Sequence, residues 1–192
     1  MTHTIHQATI ELLEDVVAGA LPRHCDDPVW NWIFGSGEDL GSRMTPWLEV
    51  WMNSLIKLGD VWCVGDAVGI AALLSPDDVV DLYQTEVRTV PILNQAAEHP
   101  DRYWRFWDWI TDATPNAGYR LLELSVDSGR RHEGIGSALV KHCLAIADRD
   151  GESINLVAAS RTAADYFQQF GFQVVHEGQP PGGGPTAWVM SG

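Results

Sequence analysis

The chain is poor in the residues that several protein classes require. Among 192 residues it has only three cysteines, Cys25, Cys63 and Cys143, far apart and without CxxC spacing. That excludes a disulfide framework and a cysteine zinc site, and the three read as ordinary reduced thiols. His24, His142 and His176 are not clustered in sequence with carboxylates or cysteines, so no metal is expected. Lysine is scarcer still, at Lys57 and Lys141, and 26 acidic against 12 basic residues leave a net charge of −14. Phosphate neutralisation needs clustered cations, so nucleic acid is excluded as a general partner, and a cationic partner suits the surface better. No run approaches 18 apolar residues, and Met1 to His6 has no basic stretch ahead of an apolar one. Neither a membrane span nor a leader is expected, which points to the cytoplasm.

What the chain does contain is a change of pattern near residue 118. Before it, a short strand over 3–9 precedes a helix over Ile10 to Leu21, which Pro22 and Cys25 to Pro28 are expected to end. Met44 to Ile56 reads as a second helix, closed by Gly59. Val61 to Asp66 and Val68 to Leu74 flank a Gly-Asp-Ala turn, as in an antiparallel hairpin. Residues 77–117 carry helical spacing broken by Pro91 and Pro100, with an aromatic run from Tyr103 to Ile110. From 118 the order is strand (Leu121 to Val126), helix (Gly134 to Asp150), strand (Ile154 to Ala159), helix (Thr162 to Phe170) and strands at 172–176 and 186–190. The length suits one domain over 1–192, divided into an N-terminal part (1–76), a helical insert (77–117) and a C-terminal half (118–192).

The densest chemical signal is Val126 to Leu139. A strand end leads through Arg130 and Arg131 into a helix entered by Gly134 and Gly136. Unpaired N–H groups and the positive dipole end at a helix start bind anions, and glycine lets a phosphate approach the backbone. Leu139 stands where a dinucleotide fingerprint needs its third small residue, and the GK[ST] of a P-loop is missing.

Val126 followed by Arg131-His132-Glu133-Gly134-Ile135-Gly136 resembles motif A of the GNAT superfamily of acetyl-CoA-dependent N-acetyltransferases. Tyr166 to Phe172 resembles the later helix-to-strand signature of that family. The layout is also similar to the branch containing puromycin N-acetyltransferase, specifically over 119–190 and loosely before 118. The resemblance implies an α/β (α+β) GNAT fold: a mixed, twisted central sheet flanked by helices on both faces, with a helical insert before the fourth strand. It also implies that the Leu124-Ser125-Val126 backbone pairs with pantetheine and that Arg131, His132, Glu133, Gly134, Ile135, Gly136 and Ser137 bind pyrophosphate, with Ser160 as a further cofactor contact. Ser128 replaces the family's usual proline. Phe167 stands where a tyrosine usually acts as general acid, and Tyr166 is one residue early, about 100° away on a helix.

Glu123, on the strand beside the expected thioester, has two readings: a general base, or an outward-facing sheet residue paired with arginine. A bulge would reverse its parity, so alternation does not decide. Asp26 and Asp27 read either as ammonium ligands or as a cap and turn before Pro28. Trp30 and Trp107 read as walls of an acceptor pocket or as core. The implied activity is acetyl transfer to a primary amine of a small cationic molecule, with an antibiotic or biosynthetic intermediate as candidate, in a monomer or homodimer. The alternatives are a catalytically silent acyl-CoA-binding module and a protein N-terminal or lysine acetyltransferase.

Overall fold

The computed structural model describes residues 3–59, 61–78, 89–115 and 118–192. Among the described residues seven strands form one mixed sheet: β1 (Ile5–Gln7), β2 (Val61–Val64), β3 (Gly69–Leu74), β4 (Tyr119–Val126), β5 (Ile154–Ala158), β6 (Gln173–Gly178) and β7 (Ala187–Ser191). Their spatial order is β1-β2-β3-β4-β5-β7-β6, and only β4 and β5 run parallel. The expected mixed sheet with helices on both faces is present. Helices α1 (Leu13–Asp26), α2 (Pro28–Phe34), α3 (Leu40–Leu58), α4 (residues 89–96) and α5 (Pro100–Ala113) cover one face. The other face carries α6 (Ile135–Asp150) and α7 (Arg161–Gln168).

Two cores follow from this division. Val16, Ala20, Ile33, Phe34, Trp47, Leu48 and Tyr103 fill the first, and Leu121, Ile135, Leu139, Cys143, Leu156, Phe167 and Met190 fill the second. In α6 the buried residues Ile135, Leu139, Val140, Cys143 and Ala147 repeat at helical spacing, so one stripe faces the sheet. Among the described residues no helix is long and apolar enough to cross a membrane.

The helical boundaries differ from those expected. Pro22 lies inside α1, which continues to Asp26. A proline there removes only the hydrogen bond to the Ala18 carbonyl, and both residues are exposed, so solvent can satisfy that oxygen. Ile10–Leu12 form a 3-10 turn ahead of α1, and α3 runs through Pro46 over a longer span than expected. The unforeseen α2 starts at once because Asp27 caps it and Pro28 occupies its first turn. In the insert, Pro91 lies within the helical residues 89–96, and Pro100 opens α5 rather than breaking a helix. Residues 79–88 and 116–117 of the insert lie outside the described residues.

The pairing of β4 positions the site. Ala72 opposes Glu123 and Leu73 opposes Leu121, so Leu122 is an extra, bulged residue. Leu121, Leu124 and Val126 therefore pack on the α6 side, whereas Leu122 and Glu123 both face the α1 side. On its other edge, β4 pairs with β5 only over Tyr119–Leu121 against Ile154–Leu156. Among the described residues no further ladder pair joins the two strands, which part beyond Leu121.

Candidate active site

Two spaces meet where β4 leaves β5. On the α6 side is an open groove of about 760 Å³ lined by Leu124, Val126, Arg130 to His132, Gly134 to Ser137, Ser160, Ala163 and Tyr166. On the α1 side is a cavity of about 90 Å³ lined by His24, Trp30, Trp51, Phe106, Trp107, Thr114, Arg120 and Glu123. Arg23, Asp27 and Ala159 line both, so they form the rim between the two.

The groove is built around the start of α6. Ala138 donates the first intrahelical bond, to the Gly134 carbonyl at 2.9 Å, which leaves the N–H groups of Ile135, Gly136 and Ser137 without intrahelical partners. Gly134 (φ 82°) and His132 (φ 66°) are both left-handed, so the chain curls there as in an anion-binding concavity. His3 props the curl, its Nε2 lying 3.0 Å from the Glu133 carbonyl. Without the usual proline, the preceding loop is held by Asp127, whose carboxylate accepts from Gly129 N–H at 2.9 Å. Arg130 is held by Glu133 at 2.8–2.9 Å, and this pairing lowers the Glu133 carboxyl below its ordinary range. Arg131 is exposed and has no ion pair among the described residues.

Helix α7 completes the groove. Ala164 is buried in the core and Phe167 is buried where the core meets the groove, while Ser160, Ala163 and Tyr166 face the groove. The Ser160 hydroxyl accepts from Ala163 N–H at 3.2 Å and caps the helix. Tyr166 reaches the α6 start: it lines the groove with Ser137, and a Cβ added to Gly136 would lie 2.9 Å from its hydroxyl. Burial raises the Tyr166 phenol above its ordinary value, partly offset by Ser137. Phe167 packs in a T-shaped contact on Phe172, 5.7 Å between ring centres.

In the cavity the carboxylate of Glu123 is 4% exposed; its Oε2 lies 3.5 Å from His24 Nε2, and its Oε1 has no hydrogen-bond partner among the described residues. Trp107 Nε1 and Thr114 Oγ1, also buried and without partners, belong to the same wall. Buried polar atoms are normally paired, so this convergence marks a place for a polar ligand. Trp30 stacks on His24 at 5.3 Å between ring centres, and Trp51 and Trp107 are in contact behind it.

Of the residues singled out from sequence, Glu123, Trp30 and Trp107 thus share the cavity. Leu124, Val126, Arg131, His132, Gly134 to Ser137, Ser160 and Tyr166 share the groove. Ser125 is buried and lines neither space, and the Glu133 side chain is tied to Arg130. Asp26 borders the groove rather than the cavity. Asp27 caps α2, accepting from Val29 and Trp30 N–H at 2.9 and 3.4 Å, and pairs with Arg23 at 3.1 Å. His24 is the residue that sequence reasoning missed. It is distant from Glu123 in sequence but adjacent in space, one helical turn before the capped break that turns α1 into α2. Among the described residues no group of three His, Cys, Asp or Glu side chains gathers to hold a metal.

Residues 97–174 match the model of the acetyltransferase (GNAT) domain. The chain has the GNAT fold. It superposes on Drosophila melanogaster polyamine N-acetyltransferase with a TM-score of 0.68 and 12% identity, covering 99% of both chains. A Corynebacterium glutamicum protein described as a histone acetyltransferase and related acetyltransferase gives 0.66 and 22% identity, over 100% of this chain and 96% of that one. The PaiA N-acetyltransferase of Thermoplasma acidophilum, solved with coenzyme A, gives 0.56 and 14%, over 100% and 98%. No curated protein matches the chain by sequence.

Proposed function

We propose that this protein is an N-acetyltransferase that moves an acetyl group from acetyl-CoA to a primary amine of a small cationic molecule. The observation that carries this reading is the meeting of the two spaces at the parting of β4 and β5, one rich in free N–H groups, the other holding a buried carboxylate among tryptophans. The residues present fit the co-substrate: the N–H groups at Ile135 to Ser137, with Arg131 beside them, would hold the pyrophosphate. The β4 edge from Leu124 to Val126 would hold the pantetheine arm. When bound, acetyl-CoA supplies the thioester that the amine attacks.

The remaining roles belong to this chain. Glu123 Oε1 receives a proton from the amine, Trp30 and Trp107 offer ring faces to its cation, and Tyr166 stands ready to protonate the departing sulfur. Capping and the Arg23 pair occupy Asp27, which leaves Glu123 as the inner carboxylate. The similar layout of the puromycin N-acetyltransferase branch supports antibiotic amines or their biosynthetic intermediates as acceptors. Polyamine and agmatine acetylation among the structural neighbours supports small cationic amines generally. We place this activity in the cytoplasm, in a single-domain monomer or homodimer. Phe167, where the resemblance expects a tyrosine, favours a second reading, a silent acyl-CoA-binding module. A protein acceptor suits the enclosed, aromatic cavity less well.

The test is thiol release from acetyl-CoA in the presence of puromycin, agmatine, phenethylamine and an aminoglycoside, each alone. Release dependent on at least one amine supports the enzyme; binding of acetyl-CoA with no release by any of them favours the silent module.

A further inference from the structure

We infer that His24 is a positioning residue for the transfer: its ring, anchored on α1, faces one oxygen of the Glu123 carboxyl group and leaves the other aimed at the acceptor amine. This rests on the function proposed above and adds a residue to it.

The geometry fixes where the protons sit. His24 Nδ1 lies 3.1 Å from the Ala20 carbonyl, which only accepts, so Nδ1 carries a hydrogen. Nε2 then faces Glu123 Oε2 at 3.5 Å in a space where both residues are nearly sealed, His24 at 2% and Glu123 at 4% exposure. Without a proton between them, a nitrogen lone pair would confront a carboxylate in low dielectric. One proton between Nε2 and Oε2 turns the contact into an attraction.

Besides His24, the cavity offers Glu123 one cation without an ion pair among the described residues, Arg120. Trp30 from α2 stacks on the imidazole, and Trp47 from α3 packs on its other side. From α3 and α5 the cavity receives Trp51, Phe106, Trp107 and Ile110, none of them titratable. The other charged groups lining it are Arg23 and Asp27, paired with each other at 3.1 Å, and Arg120 on β4. His24 also bears on the rotation of the carboxyl group: Oε2 faces the ring, and Oε1 has no hydrogen-bond partner among the described residues.

During transfer the bond from nitrogen to the acyl carbon forms and the carbon–sulfur bond breaks. The proton leaving nitrogen goes to Glu123 Oε1, and the thiolate takes one from Tyr166 or solvent. His24 touches neither reactant.

The experiment has two arms on the full chain. In the first, protein labelled with 15N-histidine is studied by NMR without ligand, His24 being assigned by its loss in His24→Gln. Nδ1 should carry a proton in the wild type and in Glu123→Gln, and the Nε2 signal should differ between the two. Ring signals of His24 that are the same in Glu123→Gln overturn the inference. In the second, kcat/KM is followed against pH with the best amine of the panel. His24→Gln should lower kcat/KM about 10- to 100-fold at pH 7. The loss should fall on kcat, with the acetyl-CoA Kd unchanged, because the carboxyl group loses its orientation while the groove is untouched. Unchanged kcat/KM in a folded variant refutes the inference, folding being read from the thermal melt. Should the wild type release no thiol with any amine, the functional reading fails, while the NMR arm still tests the contact between His24 and Glu123.

Discussion

Replacing Asp27 separates two roles that the sequence left open. In Asp27→Ala, α2 loses both of its capping bonds, to Val29 and Trp30 N–H, and Arg23 loses its partner at 3.1 Å. A lost cap costs about 1 kcal/mol. The ion pair adds about 0.5 kcal/mol, discounted because the Arg23 side chain is 35% exposed. The sum of about 1.5 kcal/mol corresponds to a fall of roughly 3–6 °C in Tm for a domain of this size. Asparagine caps as well as aspartate, so Asp27→Asn should fall by no more than about 2 °C. The assay is thermal denaturation followed by circular dichroism, beside the acceptor KM of each variant. If capping is the role of Asp27, the Asn variant keeps both Tm and KM. An Asn variant with unchanged Tm but an acceptor KM raised tenfold or more would show that Asp27 binds the ammonium, and an unshifted Tm in the Ala variant would refute the capping estimate.

Further outcomes follow from the same geometry. Glu123→Gln should lower kcat by roughly 10²–10⁴ while acetyl-CoA binds as before by calorimetry, and a fully active variant would remove the base assignment. Gly136→Val places a branched side chain against the Tyr166 hydroxyl and into the groove, so acetyl-CoA affinity should drop at least tenfold; unchanged affinity would mean the anion cradle lies elsewhere. Because burial raises the Tyr166 phenol, its proton is present below that raised value and lost only above it. A wild-type pH–rate profile should thus show no alkaline loss from this group below about pH 10, and Tyr166→Phe should lower kcat without weakening acetyl-CoA. Burial pushes Cys63 up to about 11 and Cys143 up to about 12, so at pH 8 a disulfide reagent should modify at most Cys25 in the native protein and all three thiols after denaturation.

Much of the C-terminal half was legible because its signals are local. The stripe Ile135, Leu139, Cys143 and the glycines at 134 and 136 specify α6 and its open N-terminus without reference to the rest of the chain. The N-terminal helices were less so. Pro22 looks like a breaker, yet it removes a single hydrogen bond within a helix secured by packing. The α1–α2 break depends on Asp27 turning its side chain onto two amides three-dimensionally rather than on any periodicity. Least legible was the cavity. The extra residue Leu122 turns Glu123 toward α1, and no pattern in Leu121 to Val126 records a bulge, which is settled by the register with β3. His24 lies 99 residues before Glu123 and meets it only because α1 crosses β4. Tyr166 enters the groove because Ala164 and Phe167 are the pair buried by α7, a choice made by the second core.

Isothermal titration with acetyl-CoA, followed in the same sample by thiol release on adding amines, tests the central claim most directly. The expected result is one acetyl-CoA bound per chain, with release that begins only when an amine is added and is lost in Glu123→Gln. Absence of acetyl-CoA binding by a folded protein would contradict the assignment of the groove, and with it the function proposed for the chain.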